Sequence, residues 1–351
     1  MPAQLIGQSD DLNARVERVV ASRPRCRRVM VAVDESHLSQ KAISHGVAIA
    51  NALKVELTLL RVLESKQRNG SPSDPVEWHL LRERARSHIE DLAQQQVDQV
   101  KHIETIVVEG RPADQICRWA REHQVDLTVL CTHDGGGANE RDMGRTVRRI
   151  VDCAPSSVLL VPAGVEESRG VRYRRILVPL DGSSRAESAL PIALCLAEAQ
   201  GAELILVHAI PEPELTEIEP PEPEDVELRA RVLRRNERVA QDYLGRIGAH
   251  IDSKAVPVRT VVLRSGDARH LLMRAVVDQN ADLIVLASHG HSGHMDVASG
   301  SVATHLISHT PIPLLLVRSH AIASSGGGDS CASDTGSTPD SSHEVWHEWR
   351  G

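Results

Sequence analysis

Two groups of small and polar residues have types and spacing suited to chemistry. Asp181 ends the apolar run Ile176-Leu-Val-Pro-Leu180 and opens a Gly182-Ser-Ser turn. Ala287-Ser-His-Gly290-His-Ser-Gly293 ends a second apolar run and leads to Ser299-Gly300-Ser301, ahead of a segment with helical period. Glycine lets a main chain approach a phosphate with no Cβ in the way. Free amides at a helix start, at the positive end of its dipole, favour an anion. Ser301 adds a hydroxyl there or caps the helix. An Asp at the end of a strand serves as readily to cap the next helix as to touch a ligand. Residue types alone therefore leave anion binding and plain turn chemistry both open.

Other candidate chemistries are weaker. His289, His291 and His294 are good ligand types for zinc or nickel, but their spacing fits no tight metal motif, and no metal site is expected. The chain shows no GxSxG elbow and no Walker A lysine; its one His-Glu-x-x-His run, from His343 to His347, lies in the tail, where a metal site is expected even less than at 289–294. His208, Asp181 and His289 can be imagined approaching one another, yet nothing sets a nucleophile beside a base, so a dedicated enzyme is not expected. Six cysteines (26, 117, 131, 153, 195 and 331) are scattered without a CxxC pair and read as reduced core or surface thiols. The arginines at 229, 231, 234, 235 and 238 read as a solvated helix face with local ion pairs. Trp78 and Trp119 read as packed against a sheet, and Trp346 and Trp349 as part of an unstructured end.

The elements that position the first two groups follow from an internal duplication. Val29-Met-Val-Ala-Val-Asp34 matches Ile176-Leu-Val-Pro-Leu-Asp181, and Val55-Glu-Leu-Thr-Leu-Leu60 matches Ala202-Glu-Leu-Ile-Leu-Val207, both at an offset of 147. Asp126-Leu-Thr-Val-Leu130 matches Asp282-Leu-Ile-Val-Leu286 at 156, as do Gly144 with Gly300 and Pro155 with Pro311. A nine-residue insertion accounts for the change of register. It falls in the acidic, proline-rich stretch from Pro211 to Asp225, which cannot be helix interior.

In the second repeat the strands are predicted at 176–180, 203–209, 259–263, 283–287 and 314–317. The helices are predicted at 185–199, 226–247, 268–279 and 301–308. Alternating strands and helices, with strands apolar on both faces, predict an α/β fold: two tandem doubly wound domains, each a five-stranded parallel sheet flanked by helices. The expected organisation is an N-terminal charged segment (1–21), a first domain (22–163), a linker (164–169), a second domain (170–320) and a disordered Ser, Gly and Asp-rich tail (321–351).

The core must be built without phenylalanine, which is absent, so Val, Ile, Leu and Ala carry it. A net charge of -8 with both signs mixed argues against non-specific nucleic-acid binding, which needs a basic face. No apolar run approaches the roughly 18 residues of a membrane span, and the polar start shows no secretory signal, so a cytoplasmic location is expected.

In open parallel sheets a ligand sits beyond the carboxyl ends of the strands, where Asp181 and the Gly300 segment both fall. Five stretches in order (178–183, 265–268, 281–293, 300–303 and 311–317) resemble the universal stress protein family, and the resemblance covers about 27–318. The chain looks like a tandem member. ATP-binding members of that family carry a glycine, two residues, a glycine, nine residues, then glycine followed by Ser or Thr. In the second repeat this pattern falls on Ala287, Gly290, Gly300 and Ser301, with alanine replacing the first glycine.

The resemblance implies ATP, with Mg2+, in the second repeat. Asp181 is expected near the adenosine with Pro179 and Leu180, and the main chain at Ala209 along the adenine. Gly290, Gly293, Gly300, Ser301 and Val302 are expected around the ribose and phosphates. It also implies an internal pseudo-dimer of the repeats packed through their last strands, a possible homodimer, and a regulatory protein partner told of the occupied state.

The first repeat departs from the pattern with Cys131, Asp134, Gly144 and Arg145. Asp134 would set a carboxylate against phosphates, and Gly135-Gly-Gly137 raises the cost of ordering the loop. This half is expected to be structural or to bind something else. Two alternatives stay open: a scaffold that binds no nucleotide, and a weak ATP hydrolase.

Overall fold

Apolar strands with no polar face must be covered on both sides, and the helices of this chain divide between the two faces of one sheet. The structure, a computed structural model, describes residues 14–22, 26–64, 75–100, 102–132, 144–166, 170–213, 223–251, 256–264, 266–288 and 300–318. A helix α1 occupies 14–21. The first repeat runs β1 (Arg28–Val33), α2 (Leu38–Leu53), β2 (Glu56–Leu63), α3 (Pro75–Gln94), β3 (Ile103–Glu109), α4 (Pro112–Glu122), β4 (Leu127–Thr132), α5 (Arg145–Cys153) and β5 (Ser157–Pro162). The second runs β6 (Arg175–Pro179), α6 (Ser184–Glu187), α7 (Leu190–Gln200), β7 (Glu203–Ala209), α8 (Pro223–His250), β8 (Val258–Leu263), α9 (Ala268–Asp278), β9 (Leu283–Ala287), α10 (Ser301–His309) and β10 (Leu314–Val317).

The strands form one ten-stranded sheet in the order β3-β2-β1-β4-β5-β10-β9-β6-β7-β8. Within each repeat the five strands are parallel; β5 and β10 pair antiparallel, with Leu314 opposite Leu160 and Leu316 opposite Val158. The repeats thus meet through their last strands. Side chains alternate between faces along each strand. Val29, Val31, Leu57 and Leu59 enter one apolar cluster, which also takes Val16 of α1 and residues of α2, α3, α7 and α8. Met30, Leu60 and Leu130 enter the other, with residues of α4, α5, α9 and α10. Each cluster runs across both repeats.

Two helices differ from the sequence expectation. The segment expected as one helix, 185–199, is broken into α6 and α7. Pro191 stands at the start of α7; its ring has no N–H to give and opposes the carbonyl four residues back, so the helix must restart. In the other case α8 begins at Pro223 rather than Val226, drawing 223–225 into a helix. Proline at the first helical position gives up an amide that had no partner anyway, and Glu224 and Asp225 suit the positive end of the dipole.

The thiols also need correction. Cys117 of α4 and Cys153 of α5 form a disulfide, with Cα atoms 6.3 Å apart, inside the range the bond requires. Packing of α4 on α5 creates this pairing, and a separation of 36 residues carries no spacing motif. Cys26, Cys131 and Cys195 are free, while Cys331 lies outside the described residues. The second-repeat positions at offset 156 are Met273 and His309, so no counterpart bond exists there. On α8, Arg231 pairs with Glu227 at 3.2 Å, as a solvated face would. Trp119 is buried and stacks on His123, whereas Trp78 is half-buried. The tail, with Trp346 and Trp349, lies outside the described residues.

On the first cluster's side the seam between repeats is polar at its centre. His45 Nδ1 of α2 lies 2.7 Å from Tyr173 Oη, and both side chains are buried. Gln200 of α7 accepts from the Tyr173 amide at 2.6 Å and donates to the Ala48 carbonyl of α2. Burial pulls the His45 imidazole down to about 4 and pushes the Tyr173 phenol above its usual range.

Candidate ligand site

The β6 strand ends at Pro179, and the Leu180 amide still donates to Val207 O at 2.8 Å. The chain then turns sharply. Gly182 has φ +84, a left-handed conformation that disfavours any Cβ. The Ser183 amide and hydroxyl both donate to Asp181 Oδ1, at 3.0 and 2.6 Å. Ser183 Oγ in turn accepts from the Ala186 amide at 3.1 Å and caps α6. Asp181 therefore shapes the turn, and Ser183 does the capping.

The first repeat repeats the device: Ser36 N, Ser36 Oγ and Ser39 Oγ converge on Asp34 Oδ1 at 2.9, 2.6 and 2.9 Å. Asp34 is thus a turn-former and not the N-cap of α2; that cap position is His37.

Replacing Gly182 by alanine should cost about 1–2 kcal/mol, because the strain falls on a non-glycine residue at positive φ. Gly245, exposed inside α8 with open space around it, should respond with the opposite sign, gaining about 0.5–1 kcal/mol as alanine. Urea midpoints of the two variants check both signs.

Across from the turn, β9 ends at Ala287. Ser288 donates its amide to Val317 O at 3.0 Å and accepts at its carbonyl from the Gly300 amide at 2.9 Å. Gly300 is the N-cap of α10, with no side-chain cap bond. Its φ of −67 is ordinary, so the position does not need glycine for its backbone. What glycine supplies there is open space before the first turn of α10, whose leading amides have no partner within the helix.

Between the turn and this helix start lies a cavity of about 210 Å³. Pro179, Leu180, Asp181, Ala209, Ala287, Gly300, Ser301 and Val302 all line it. Its remaining wall is largely apolar, with Val207, Leu272 and Leu286. Gly290 and Gly293 lie outside the described residues, as do His289, His291 and His294. Among the described residues no group of three or more His, Cys, Asp or Glu is placed to hold a metal ion.

His208 does not line this cavity. Its Nδ1 donates to the Leu180 carbonyl at 2.8 Å, and its ring meets Tyr243 edge-on at 6.2 Å. It faces a separate groove beside α8. Asp181 borders that groove as well, so the fold does bring His208 and Asp181 to one place, while His289 lies outside the described residues. Glu187, by contrast, was missed. It is fully buried next to the turn and bonds Tyr243 Oη at 3.0 Å and Arg15 Nη2 at 2.7 Å. Burial, then the neighbouring carboxylate, holds the Tyr243 phenol above its usual range. No periodicity links residues 172 positions apart.

The first repeat has a cavity of about 410 Å³ in the equivalent place, lined by Asp34, Glu64, Cys131, Gly144 and Arg145. Among the described residues two carboxylates stand at this cleft, Asp34 and Glu64, where the second repeat's cavity has Asp181. Asp134 and 135–137 lie outside the described residues.

The strand order and the cavity at the carboxyl ends of the strands define the class: a doubly wound, Rossmann-like α/β protein, duplicated in tandem. Residues 25–162 and again 172–318 match the Universal stress protein family, and the chain belongs to that family. Membership places it among stress-response proteins. Universal stress protein Rv2005c of Mycobacterium tuberculosis is 26% identical over 305 residues, covering 85% of this chain and 99% of that protein. A universal stress protein of Thermus aquaticus, encoded in the QAH/OAS sulfhydrylase 3' region, is 31% identical over 147 residues, covering 42% of this chain and 99% of that protein. In fold, a universal stress protein crystal structure from Archaeoglobus fulgidus aligns with a TM-score of 0.59 at 19% identity, over 83% of this chain and 96% of that one. Among the described residues no helix is long and apolar enough to cross a membrane.

Proposed function

We propose that the second repeat binds ATP, taken up with Mg2+, and that the chain acts as a nucleotide-dependent sensor or regulator in the cytoplasm. The observation that carries this reading is the uncapped start of α10 at Gly300, opening onto an apolar cavity that Asp181 also lines. Apolar walls suit a purine and its ribose, and helix amides suit phosphate oxygens. Segment 289–299 begins and ends at the hydrogen bond between Ser288 and Gly300. Phosphates seated at the head of α10 act directly on that closing point. Such differential contact is what a ligand needs to shift a population of conformers read by a partner protein. The first repeat, with Asp34, Glu64 and Arg145 at its cleft, is assigned a structural role or a different ligand.

The direct test is to purify the protein, denature it and identify the released small molecules by chromatography, then to titrate ATP with magnesium. Adenine nucleotide in the supernatant and saturable binding are expected. Asp181→Ala should weaken binding by roughly tenfold, the scale of losing one hydrogen bond to a polar ligand group. Absence of both nucleotide and binding would leave the scaffold reading in its place.

A further inference from the structure

Glu187 stands where the first repeat has Gln40, at the same offset of 147 that relates Asp181 to Asp34. A fully buried carboxylate is tolerated only when paired. Tyr243 supplies one donor; the other comes from outside the repeat altogether. Arg15 of α1 reaches Glu187 Oε1 at 2.7 Å with Nη2, and the same nitrogen lies 3.3 Å from the Gly182 carbonyl oxygen. One guanidinium therefore bonds both flanks of the turn that presents Asp181 to the cavity. Val16, the next residue, is fully buried in the shared core and anchors α1 in place.

Two features separate this contact from an ordinary ion pair. Among the described residues, Arg15 Nε and Glu187 Oε2 are both buried without a partner. Arg–carboxylate pairs are frequently bidentate forks; this one is not, and the bonded nitrogen is the one that also reaches Gly182. The duplication also provides an internal comparison. Gln40, neutral and only partly buried, meets Gln95 at 3.5 Å. The turn of the first repeat carries a different ion pair, between Arg61 of β2 and Glu35, the position that matches Gly182, and both partners there come from within the repeat.

We propose that Arg15 is a positioning residue for the second-repeat site, holding the Asp181–Ser183 turn in its ligand-ready shape through Gly182 and Glu187. Its effect on affinity rests on the nucleotide reading above, while its effect on the turn does not.

The test uses the full chain as wild type, Arg15→Ala, and the double variant Arg15→Ala/Glu187→Gln. Amide hydrogen exchange is followed at Ser183, Ala186 and Glu187 without ligand, beside the urea midpoint and ATP titration. Arg15→Ala strands a buried charge, so it should lower the midpoint, speed exchange at the turn and weaken ATP binding by roughly tenfold, as expected for one charge-assisted hydrogen bond. The double variant removes that charge and should recover most of the midpoint. Exchange at the turn and affinity should stay altered, which a merely stabilising role would not give. A double variant with wild-type exchange and wild-type affinity overturns the proposal. If wild type itself takes up no ATP, the nucleotide reading falls alone, and exchange at the turn still decides whether Arg15 holds it.

Discussion

Gly300→Arg should reduce ATP affinity at least about a hundredfold, near 2.7 kcal/mol, while leaving the protein folded. The backbone at this position is unstrained, with φ −67 and ψ 164. A Cβ there would find the Ser288 carbonyl as its nearest neighbour, at a comfortable 3.9 Å. The substitution should therefore cost helix α10 about 0.5–1 kcal/mol as an N-cap change. Its long side chain instead occupies the space in front of the helix start, where the phosphates are proposed to sit. A guanidinium attracts phosphate, so charge alone would favour binding; the argument is steric, and Gly300→Ala serves to check it. A single methyl at that position should cost only a few-fold. Calorimetric titration of the three proteins, with urea melts to confirm folding, decides the matter. Equal dissociation constants for wild type and Gly300→Arg would mean that the nucleotide, if bound, sits elsewhere.

The second large effect concerns acid. His45 is buried against Tyr173, and desolvation holds its folded-state pKa near 4 against 6.5 for the free side chain. Between those values the unfolded chain binds a proton that the folded chain refuses. Stability from this group is complete above pH 6.5 and is lost as pH falls from 6.5 toward 4, by about 3 kcal/mol in all. Burial also pushes the Asp282 carboxyl up from its usual value, so the comparison is with His45→Gln, which keeps a polar side chain but cannot take the proton. Urea midpoints measured from pH 7.5 to 4 should fall more steeply for wild type than for the variant. Parallel curves would show that His45 is not held neutral. The seam it occupies joins α2 of one repeat to the start of the next, so the loss should loosen the two halves together.

How far the sequence carries these conclusions varies with the range of the interaction. The strands were readable because each is buried on both faces, which writes a continuous apolar run, and because the runs recur at fixed offsets. The Asp181 turn and the Gly300 helix start were readable because turns and caps are local chemistry, confined to a few neighbouring residues. Where proline sits at a helix start, as at Pro191 and Pro223, the same residue reads as a stop or as a beginning, and only packing decides. Pairings across the fold left no local trace. Cys117 finds Cys153 through the contact of α4 with α5, His45 finds Tyr173 across the seam, and Arg15 finds Glu187 from another part of the chain. Each is a polar or reactive side chain whose partner is fixed by tertiary geometry, which a period of 2 or 3.6 cannot encode.

The antiparallel pairing of β5 with β10 has a further consequence. Two separate copies of a single-repeat protein joined through that edge would come apart on dilution, and any substitution would appear on both sides at once. Covalent tethering makes the junction independent of protein concentration. It also frees the two clefts from having to match, so that one can carry Arg145 while its counterpart keeps Ser301.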